Sequence, residues 1–549
     1  MLVATNRWVT FIDDETQIIT TAALPLHTTL NAYWAGEGLH EHPPLYDVLL
    51  HYWLLITRDA WGALRLPAIA CYVLGLWLLA RATEEIGEGR GAWGALWIGA
   101  LWPFGYHYGR LAGWYSFCFM LVAWLTLAYL RLLRHPSLWR WCGFLMGAAA
   151  LIYANYLGWA FLACFAADYV VRKRGARLRA AGVAGAGALF LAIAYWPLWW
   201  ALLYELRDGT DFVRPITTKI LLGGFNTYNA FVSESAAPWF LWLGIPAGIC
   251  VAACLALVLK HAPPDARRFL LFALLLIAAM AALGIISAKR MLPVAAWLLF
   301  PIGVAAGAIP RGRPRMLLIG ALAGIAAIGW FGIFSRSYYS ASRFIEPWGE
   351  VAAEAASRAE SGSLIVGNNP SFFFYLSYAL PALHGSDGTR NWQPFNASGV
   401  FNTGNWIENG RPLRGHIYSV RGAPGPMREG PARDAEQWLD GRCRLESERR
   451  ILRDPASSLK ARIFPELGEL PWRVGIREYS CGRGALYCKS PLFKAPSGAF
   501  FVARGNQQST GNAEGGTRTP TVLLPPAPQA GASANSATSA CGRSQRRRA

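Results

Sequence analysis

The chain of 549 residues is 54% hydrophobic but only 15% charged, whereas soluble domains are typically about 25% charged. Its net charge is +19, yet Lys and Arg lie in short clusters between apolar stretches, which is typical of the cytoplasmic ends of membrane helices. Composition and charge therefore exclude an ordinary soluble domain and argue against nucleic acid as a partner.

Apolar stretches fill residues 61–335, and most acidic and polar residues lie outside them. This distribution predicts a mainly α fold, with a polytopic transmembrane domain of about ten helices at residues 61–335. Residues 1–60 are predicted to form a first external loop with interfacial helices, and residues 336–500 a smaller mixed α/β domain. Residues 501–549 are rich in Gly, Ser, Thr, Ala and Pro, which predicts a disordered tail.

The predicted membrane helices pair into hairpins whose ends are basic. Residues 141–171 are mostly apolar, with Arg140 before them and Arg172 after them. A single helix there would place basic clusters on both faces of the membrane. Two short helices that turn at residues 153–156 instead keep both clusters in the cytoplasm, as the positive-inside rule favours.

The same hairpin form is predicted for residues 90–131 and for residues 268–311, and two further helices enclose a polar segment at residues 205–237. With the basic ends in the cytoplasm, alternation of the helices places residues 1–60 outside it, together with everything after about residue 336. The sequence therefore predicts a multi-pass protein of the bacterial inner membrane whose active site and C-terminal domain are extracytoplasmic.

Export of residues 1–60 normally requires a preceding transmembrane helix or a signal peptide. Residues 1–10 lack a sufficiently long apolar core for a signal peptide. We therefore expect that a first helix is missing from this sequence. The alternatives are that the segment folds back across the membrane after insertion, or that the protein has adapted to the loss.

Three cysteines, Cys443, Cys481 and Cys488, lie in the predicted exported domain. Exported domains form disulfides because their compartment is oxidising. The sequence therefore predicts one disulfide in this domain, with one thiol left over.

Three consecutive carboxylates, Asp13, Asp14 and Glu15, open the first amphipathic stretch. Acidic residues also suit a helix N-terminus, so a solvated helix start is the alternative interpretation. Further along, Glu41-His42-Pro43-Pro44-Leu45-Tyr46 precedes an apolar helix predicted at residues 47–57. Because two prolines can simply fix the first turn of a helix, this pattern alone identifies no function.

The order of these two patterns resembles that of the lipid-dependent glycosyltransferases of the GT-C superfamily. The similarity is closest to the branch of protein mannosyltransferases, aminoarabinose transferases and lipopolysaccharide-core galacturonosyltransferases, and it spans roughly residues 8–380. Shorter motifs that continue it are Leu64-Arg65-Leu66-Pro67, Gly109-Arg110 with Tyr115-Ser116, Tyr153-Ala154-Asn155-Tyr156, and Lys289-Arg290-Met291-Leu292-Pro293.

The resemblance implies that the acidic pair in the first external loop is catalytic. The matching pair is Asp14-Glu15, and Asp13 is an additional carboxylate. Which of the three acts as the base stays open. The usual first transmembrane helix of the family is absent from this sequence, in agreement with the topology.

Transfer of a sugar from a polyprenyl phosphate requires a base for the acceptor hydroxyl and cations for the departing phosphate. Candidates for the phosphate site share the side of the membrane predicted for Asp14, and they are Arg110, Lys289, Arg290 and His42. Candidates for the sugar pocket are Tyr46, Tyr108, Tyr115 and Tyr156. The alternatives are an interfacial aromatic belt for the tyrosines and a solvated turn for Lys289 and Arg290, while Arg65 is predicted to snorkel to the membrane surface.

No cofactor is predicted, because no His or Cys spacing fits a zinc site and no glycine-rich loop fits a nucleotide, although a divalent ion is left open. The predicted partners are a polyprenyl-phosphate sugar, membrane lipid, and a glycan, lipid or protein acceptor. The alternative functions are a transporter, a lipid-linked glycan flippase, or an oligosaccharyltransferase or polymerase. The Trp-Trp-Asp motif of oligosaccharyltransferases is missing, since Ala201 follows Trp199-Trp200.

Overall fold

A computed structural model of the chain describes residues 2–3, 11–35, 42–58, 60–86, 89–208, 215–236, 241–309, 312–335, 347–380, 400–408, 415–422, 431–451 and 474–481. Within these ranges the protein is mainly α-helical, with one small sheet in its C-terminal region. The predicted fold class is therefore confirmed. The predicted tail and Cys488 lie outside the described residues, and the predicted domain boundaries stay predictions.

The helices before residue 335 follow the predicted hairpins. They are α1 (Asp13–Ala22), α2 (Leu26–Ala35), α3 (Leu45–Thr57), α4 (Leu66–Glu85), α5 (Gly89–Ala100), α6 (Pro103–Tyr108), α7 (Trp114–Arg134), α8 (Leu138–Ala154), α9 (Leu157–Arg172), α10 (Arg177–Ala194), α11 (Trp199–Asp208), α12 (Ile216–Val232), α13 (Leu241–His261), α14 (Pro264–Ala282), α15 (Met291–Ala308) and α16 (Arg313–Phe334).

The turns of the hairpins lie where the sequence predicts them. Helices α8 and α9 are separated by Asn155 and Tyr156, and helices α14 and α15 are separated by a turn that contains Lys289 and Arg290. The polar segment predicted at residues 205–237 differs from expectation, because it contains the whole of α12, which packs against α14 and α15.

Six helical segments of the described chain are long and apolar enough to cross a membrane, which makes this a multi-pass membrane protein. They are Trp61–Glu85, Trp114–Arg134, Arg177–Ala194, Leu241–His261, Met291–Ala308 and Arg313–Phe334. The other predicted spans also form helices, namely α5, α8, α9 and α14, with 12, 17, 16 and 19 residues. Helices α5 and α9 are shorter than a comfortable span of roughly 17 residues or more, and α8 only just reaches that length. Helix α14 begins with several charges, so the total of ten stays a prediction.

Helix α15 lies at the centre of the bundle, where it packs against α4, α5, α7 and α14. Every residue from 291 to 305 is buried. Helix α10 differs, because it exposes large apolar side chains such as Leu189, Phe190 and Ile193. Exposed apolar side chains on a membrane helix are stable when they face lipid, so α10 lies at the periphery of the bundle.

The C-terminal region contains helices and a mixed sheet. Its elements are α17 (Trp348–Glu360), β1 (Leu364–Gly367), α18 (Pro370–Ala379), β2 (Val400–Asn402), α19 (Thr403–Glu408), β3 (His416–Gly422), α20 (Pro431–Asp440), β4 (Arg444–Ile451) and β5 (Val474–Ser480). The strand order is β2-β1-β3-β5-β4. Strand β1 pairs in parallel with β2 and β3, and β5 pairs antiparallel with β3 and β4.

Alternate strand residues pack on opposite faces of this sheet, as the period of two requires. Ile365 and Tyr418 join the apolar cluster that contains Trp348 of α17. Ile417 joins a second cluster with Trp406 of α19. Helices therefore cover both faces of the sheet, and the predicted helix at residues 351–360 and strand at residues 363–367 are confirmed.

A disulfide joins Cys443, which precedes β4, to Cys481, which follows β5. The two Cα atoms are 4.5 Å apart, and 38 residues separate the cysteines in sequence. The single disulfide predicted for this domain is confirmed. It links the end of β5 to the start of the edge strand β4, so it holds the edge of the sheet together.

Replacing both Cys443 and Cys481 with serine is expected to destabilise the C-terminal domain by about 2–4 kcal/mol, because the unfolded loop gains conformational entropy. The urea midpoint for proteolytic cleavage of this domain in the purified full-length protein measures the effect. Cys142→Ser is the matched control, since Cys142 is an exposed free thiol on α8. Equal midpoints for all three proteins would show that the disulfide adds no stability.

Candidate active site

The N-terminal segment that contains α1 is fixed to the bundle by a buried ion pair between Glu15 of α1 and Arg65, which precedes α4. Arg65 donates from Nε to Glu15 Oε1 at 2.8 Å and from Nη2 to Oε2 at 2.6 Å. Both side chains are fully buried. The prediction that Arg65 snorkels to the membrane surface is therefore wrong, because its charge is neutralised by a partner 50 residues earlier.

Two backbone groups also donate to the Glu15 carboxylate. Ala112 N donates to Oε1 at 2.7 Å, and Ile12 N donates to Oε2 at 3.2 Å. Each carboxylate oxygen thus accepts one guanidinium and one backbone hydrogen bond. A carboxylate with four such donors, three of them in buried hydrogen bonds, is typical of a structural anchor, and the predicted catalytic role of Glu15 stays a prediction.

Asp14, the adjacent residue, has a different environment. Its side chain is partly exposed, at 21%. Tyr115 at the start of α7 donates a hydrogen bond of 2.9 Å to Asp14 Oδ2, and Lys289 forms an ion pair with the same oxygen. The structure thus brings together three of the predicted site residues, and it gives Asp14 the more accessible carboxylate of the pair. The Asp13 side chain lies outside what the structure describes.

Lys289 and Arg290 lie in the turn just before α15, so the central helix of the bundle holds them in place. The Lys289 side chain is only 12% exposed. Arg290 is half-buried and donates from Nη1 to Ile285 O at 3.1 Å. Two cations therefore lie on one turn, and Lys289 contacts Asp14. Adjacent cations of this kind suit a phosphate group, so the predicted phosphate roles of Lys289 and Arg290 stay predictions.

His42 and Tyr156 lie on an aromatic cluster next to Tyr115. The His42 ring meets Trp114 edge-on at 4.9 Å and lies 5.7 Å from Tyr156, and Trp114 packs on Tyr115 at 4.2 Å. His42 Nδ1 is also 3.4 Å from the Asn155 amide nitrogen. The His-Pro-Pro and Tyr-Ala-Asn-Tyr motifs thus meet beside the candidate base, although they are more than 100 residues apart.

The other candidates lie inside the protein. Arg110 is fully buried, with its guanidinium 4.1 Å from the centre of the Tyr106 ring. Tyr46 is 1% exposed, and Tyr108 donates to the buried Glu234 at 2.5 Å. The predicted phosphate role of Arg110 and the predicted pocket roles of both tyrosines stay predictions, and their burial favours a structural role.

His107 lies next to these buried cations. Burial, together with the smaller effect of the nearby charges of Arg110 and Arg65, lowers the pKa of His107 to about 3. The imidazole is therefore neutral at physiological pH. A neutral ring adds no third positive charge to this region.

Two buried groups of the first external segment were not predicted to interact. Tyr33 of α2 donates a hydrogen bond of 2.8 Å to Asp47 of α3. Burial raises the pKa of Asp47 to about 7, and the hydrogen bond from Tyr33 partly offsets this effect. The pair links α2 to α3 and so helps to fix the orientation of the two helices.

Helix α18 of the C-terminal region also contacts this site, which the sequence did not indicate. Phe11 N donates to Tyr375 Oη at 2.7 Å, and the same hydroxyl lies 3.1 Å from Phe11 O and donates to it. The hydroxyls of Thr16 and Ser371 are 2.5 Å apart. Phe11 itself packs on the Arg65 guanidinium at 4.0 Å. The C-terminal region therefore holds the segment that carries Asp14.

Replacing Tyr375 with phenylalanine is expected to lower the rate of the sugar transfer predicted from the sequence several-fold, because the loss of two hydrogen bonds of about 1 kcal/mol each loosens the segment before Asp14. Initial rates at saturating donor measure the effect. Tyr378→Phe is the matched control, since Tyr378 lies on the same helix and packs on Trp61. Equal loss in both variants would contradict a specific role for the Tyr375 hydroxyl.

Within the described residues, no group of three or more His, Cys, Asp or Glu side chains is arranged to hold a metal ion. The polar groups that meet at Asp14 are an ammonium, a phenol and a carboxylate. They can move a proton and bind an anion.

No protein-family model matches the chain, and no curated protein matches its sequence. Among solved structures, the chain is similar to the crystal structure of ArnT from Cupriavidus metallidurans bound to undecaprenyl phosphate. The TM-score is 0.48 at 12% identity, and the alignment covers 86% of this chain and 95% of that chain. It is also similar to the same ArnT in the apo state, with a TM-score of 0.46 at 13% identity over 86% of this chain and 96% of that chain.

Proposed function

We propose that this protein is a membrane glycosyltransferase that transfers one sugar from a polyprenyl-phosphate-linked donor to an extracytoplasmic acceptor, with inversion. One contrast carries the proposal. Both oxygens of Glu15 are occupied in a buried ion pair, whereas the neighbouring Asp14 has a partly exposed carboxylate beside Lys289. The order of sequence motifs that resembles GT-C enzymes supports the same assignment.

In the proposed reaction, Asp14 accepts the proton of the acceptor hydroxyl. The acceptor oxygen attacks the anomeric carbon as the bond from that carbon to the phosphate oxygen breaks, so the configuration inverts. The bonding electrons leave with polyprenyl phosphate, which gains one negative charge. Lys289 and Arg290 stabilise this charge.

Because Lys289 forms an ion pair with Asp14, the donor binds before the acceptor is deprotonated in the proposed reaction. The donor phosphate competes for the Lys289 ammonium. Donor binding therefore draws Lys289 toward the phosphate and frees the Asp14 carboxylate for the acceptor. The base becomes available only when a leaving group is in place.

One prediction and one observation support an extracytoplasmic site. The predicted topology assigns the first external segment and the turn at Lys289 to the same side of the membrane as the C-terminal region. That region contains the Cys443–Cys481 disulfide, which is typical of an oxidising compartment. We propose the bacterial inner membrane as the location and lipid A, core oligosaccharide, polysaccharide or protein as the acceptor classes.

The test is an assay of the purified protein in lipid vesicles with a panel of synthetic polyprenyl-phosphate sugars and fractionated envelope glycolipids. The proposal predicts release of polyprenyl phosphate together with sugar on the acceptor. Mass spectrometry of envelope glycans from a deletion strain identifies that acceptor. Movement of lipid or solute across the vesicles without sugar transfer would instead support a flippase or transporter.

A further inference from the structure

An open groove of about 690 Å³ lies between α4, α7 and α8, on the outside of the bundle. Its lining changes in character along its length. At one end it is apolar, with Leu78 from α4 and Trp124 from α7. At the other end it is basic, with Arg81, Arg131 and Arg140.

Helical spacing explains this division. Leu74, Leu78 and Arg81 lie on one face of α4 because they are separated by four and three residues. Helix α7 repeats the pattern with Trp124, Ala128 and Arg131. Each helix thus presents an apolar stripe that ends in an arginine. Arg131 lies in the last turn of α7, where the helix dipole favours cations, and Arg81 lies just before the last turn of α4.

The basic end keeps a net positive charge after its ion pairs are counted. Arg81 contacts Glu84, Arg131 lies 2.7 Å from Glu85, and Arg134 lies 3.1 Å from the same carboxylate. Arg140 donates only to backbone oxygens, those of residues 131 and 135, among its described contacts. Arg134 does not line the groove but shares Glu85 with Arg131, and when it is included, four arginines against two glutamates leave a charge of +2.

The groove is separate from the candidate active site. Tyr115, which donates a hydrogen bond to Asp14, lies in the first turn of α7. Arg131 lies 16 residues further along the same helix. At 1.5 Å per residue, the basic end is roughly 24 Å from Tyr115, close to the thickness of the hydrocarbon core. A phosphate held at Arg131 cannot reach Asp14, so the occupant of the groove is not the reacting donor.

We propose that this groove binds an anionic phospholipid of the membrane. Its phosphodiester lies at Arg81, Arg131 and Arg140, and an acyl chain lies along Leu78 and Trp124. The apolar stripe matches the chain, and the net positive charge matches the headgroup. The inference is independent of the proposed glycosyltransferase activity, because it concerns the opposite end of α7.

Two variants test separately whether lipid binding depends on the positive charge of the groove and on its open space. Arg81→Gln removes one cation whose side chain is 45% exposed. Gly143→Phe fills the groove, since Gly143 lines it and a Cβ there meets no atom within 4 Å. The matched controls are Arg313→Gln and Gly185→Phe, at exposed positions on α16 and α10. A Cβ at Gly185 also meets no atom within 4 Å.

Native mass spectrometry of the full-length protein in neutral detergent, with added phosphatidylglycerol or phosphatidylcholine, provides the test. We expect preferential retention of phosphatidylglycerol, with at least five-fold loss in both groove variants and unchanged retention in both controls. Equal retention of the two lipids, or loss in the controls as well, would overturn the proposal. A larger loss of added polyprenyl phosphate than of phosphatidylglycerol in the two groove variants would also overturn it.

Discussion

Replacing Asp14 with asparagine is expected to lower the rate of sugar transfer about 10²- to 10⁴-fold, the usual contribution of a general base. Asparagine keeps the size of the side chain and an oxygen that accepts the hydrogen bond from Tyr115. It cannot take the proton of the acceptor hydroxyl. The initial rate of polyprenyl phosphate release at saturating donor and acceptor measures the effect.

Asp13→Asn is the matched control, because it removes a carboxylate one position earlier in the same segment. If Asp14 is the base, Asp13→Asn keeps most of the activity, and both variants insert and melt as the unaltered protein does. Full activity of Asp14→Asn would refute the proposed assignment. Loss of activity only in Asp13→Asn would move the role to that neighbour.

Replacing Glu15 with glutamine is expected to destabilise the protein by about 3–5 kcal/mol, because it leaves the buried Arg65 without its counter-charge. The buried Arg110 is a second positive charge in the same region, and it increases the loss of stability. The thermal midpoint of the detergent-purified protein and its yield from membranes measure the effect. Activity falls as a consequence of lost structure.

The double variant Glu15→Gln/Arg65→Gln tests this explanation, since removal of both charges of the pair leaves neither of them without its partner. It is expected to melt at a higher temperature than Glu15→Gln alone. A Glu15→Gln protein that melts normally but is inactive would show instead that Glu15 takes part in the chemistry.

The hairpins and the region near Asp14 were the most predictable parts of this protein. Basic ends and apolar runs fix the helices, and the turn that separates α8 from α9 is at residues 155–156, within the predicted 153–156. The motif order suggested Asp14, Tyr115 and Lys289 together, and the structure brings the three side chains into contact. Their proposed roles stay predictions.

Contacts between distant parts of the chain were not predictable in the same way. Arg65 borders an apolar run, so hydropathy favours snorkelling, and only the fold shows that Glu15 neutralises it. Tyr375 lies in a region predicted as a separate domain, 364 residues after Phe11. The segment that contains α12 was predicted only as a polar connection, because its Thr, Lys and Asn residues lower its hydropathy although several are buried.

The hydrogen bond between Tyr375 and Phe11 also has a consequence for the biogenesis of the protein. The hydroxyl that holds the segment with Asp14 is made 364 residues after Phe11. At 5–20 residues per second, ribosomes need roughly 20–70 s for that interval. During this time the membrane helices insert while the segment with Asp14 lacks this contact, so assembly of the candidate site is among the last steps of maturation.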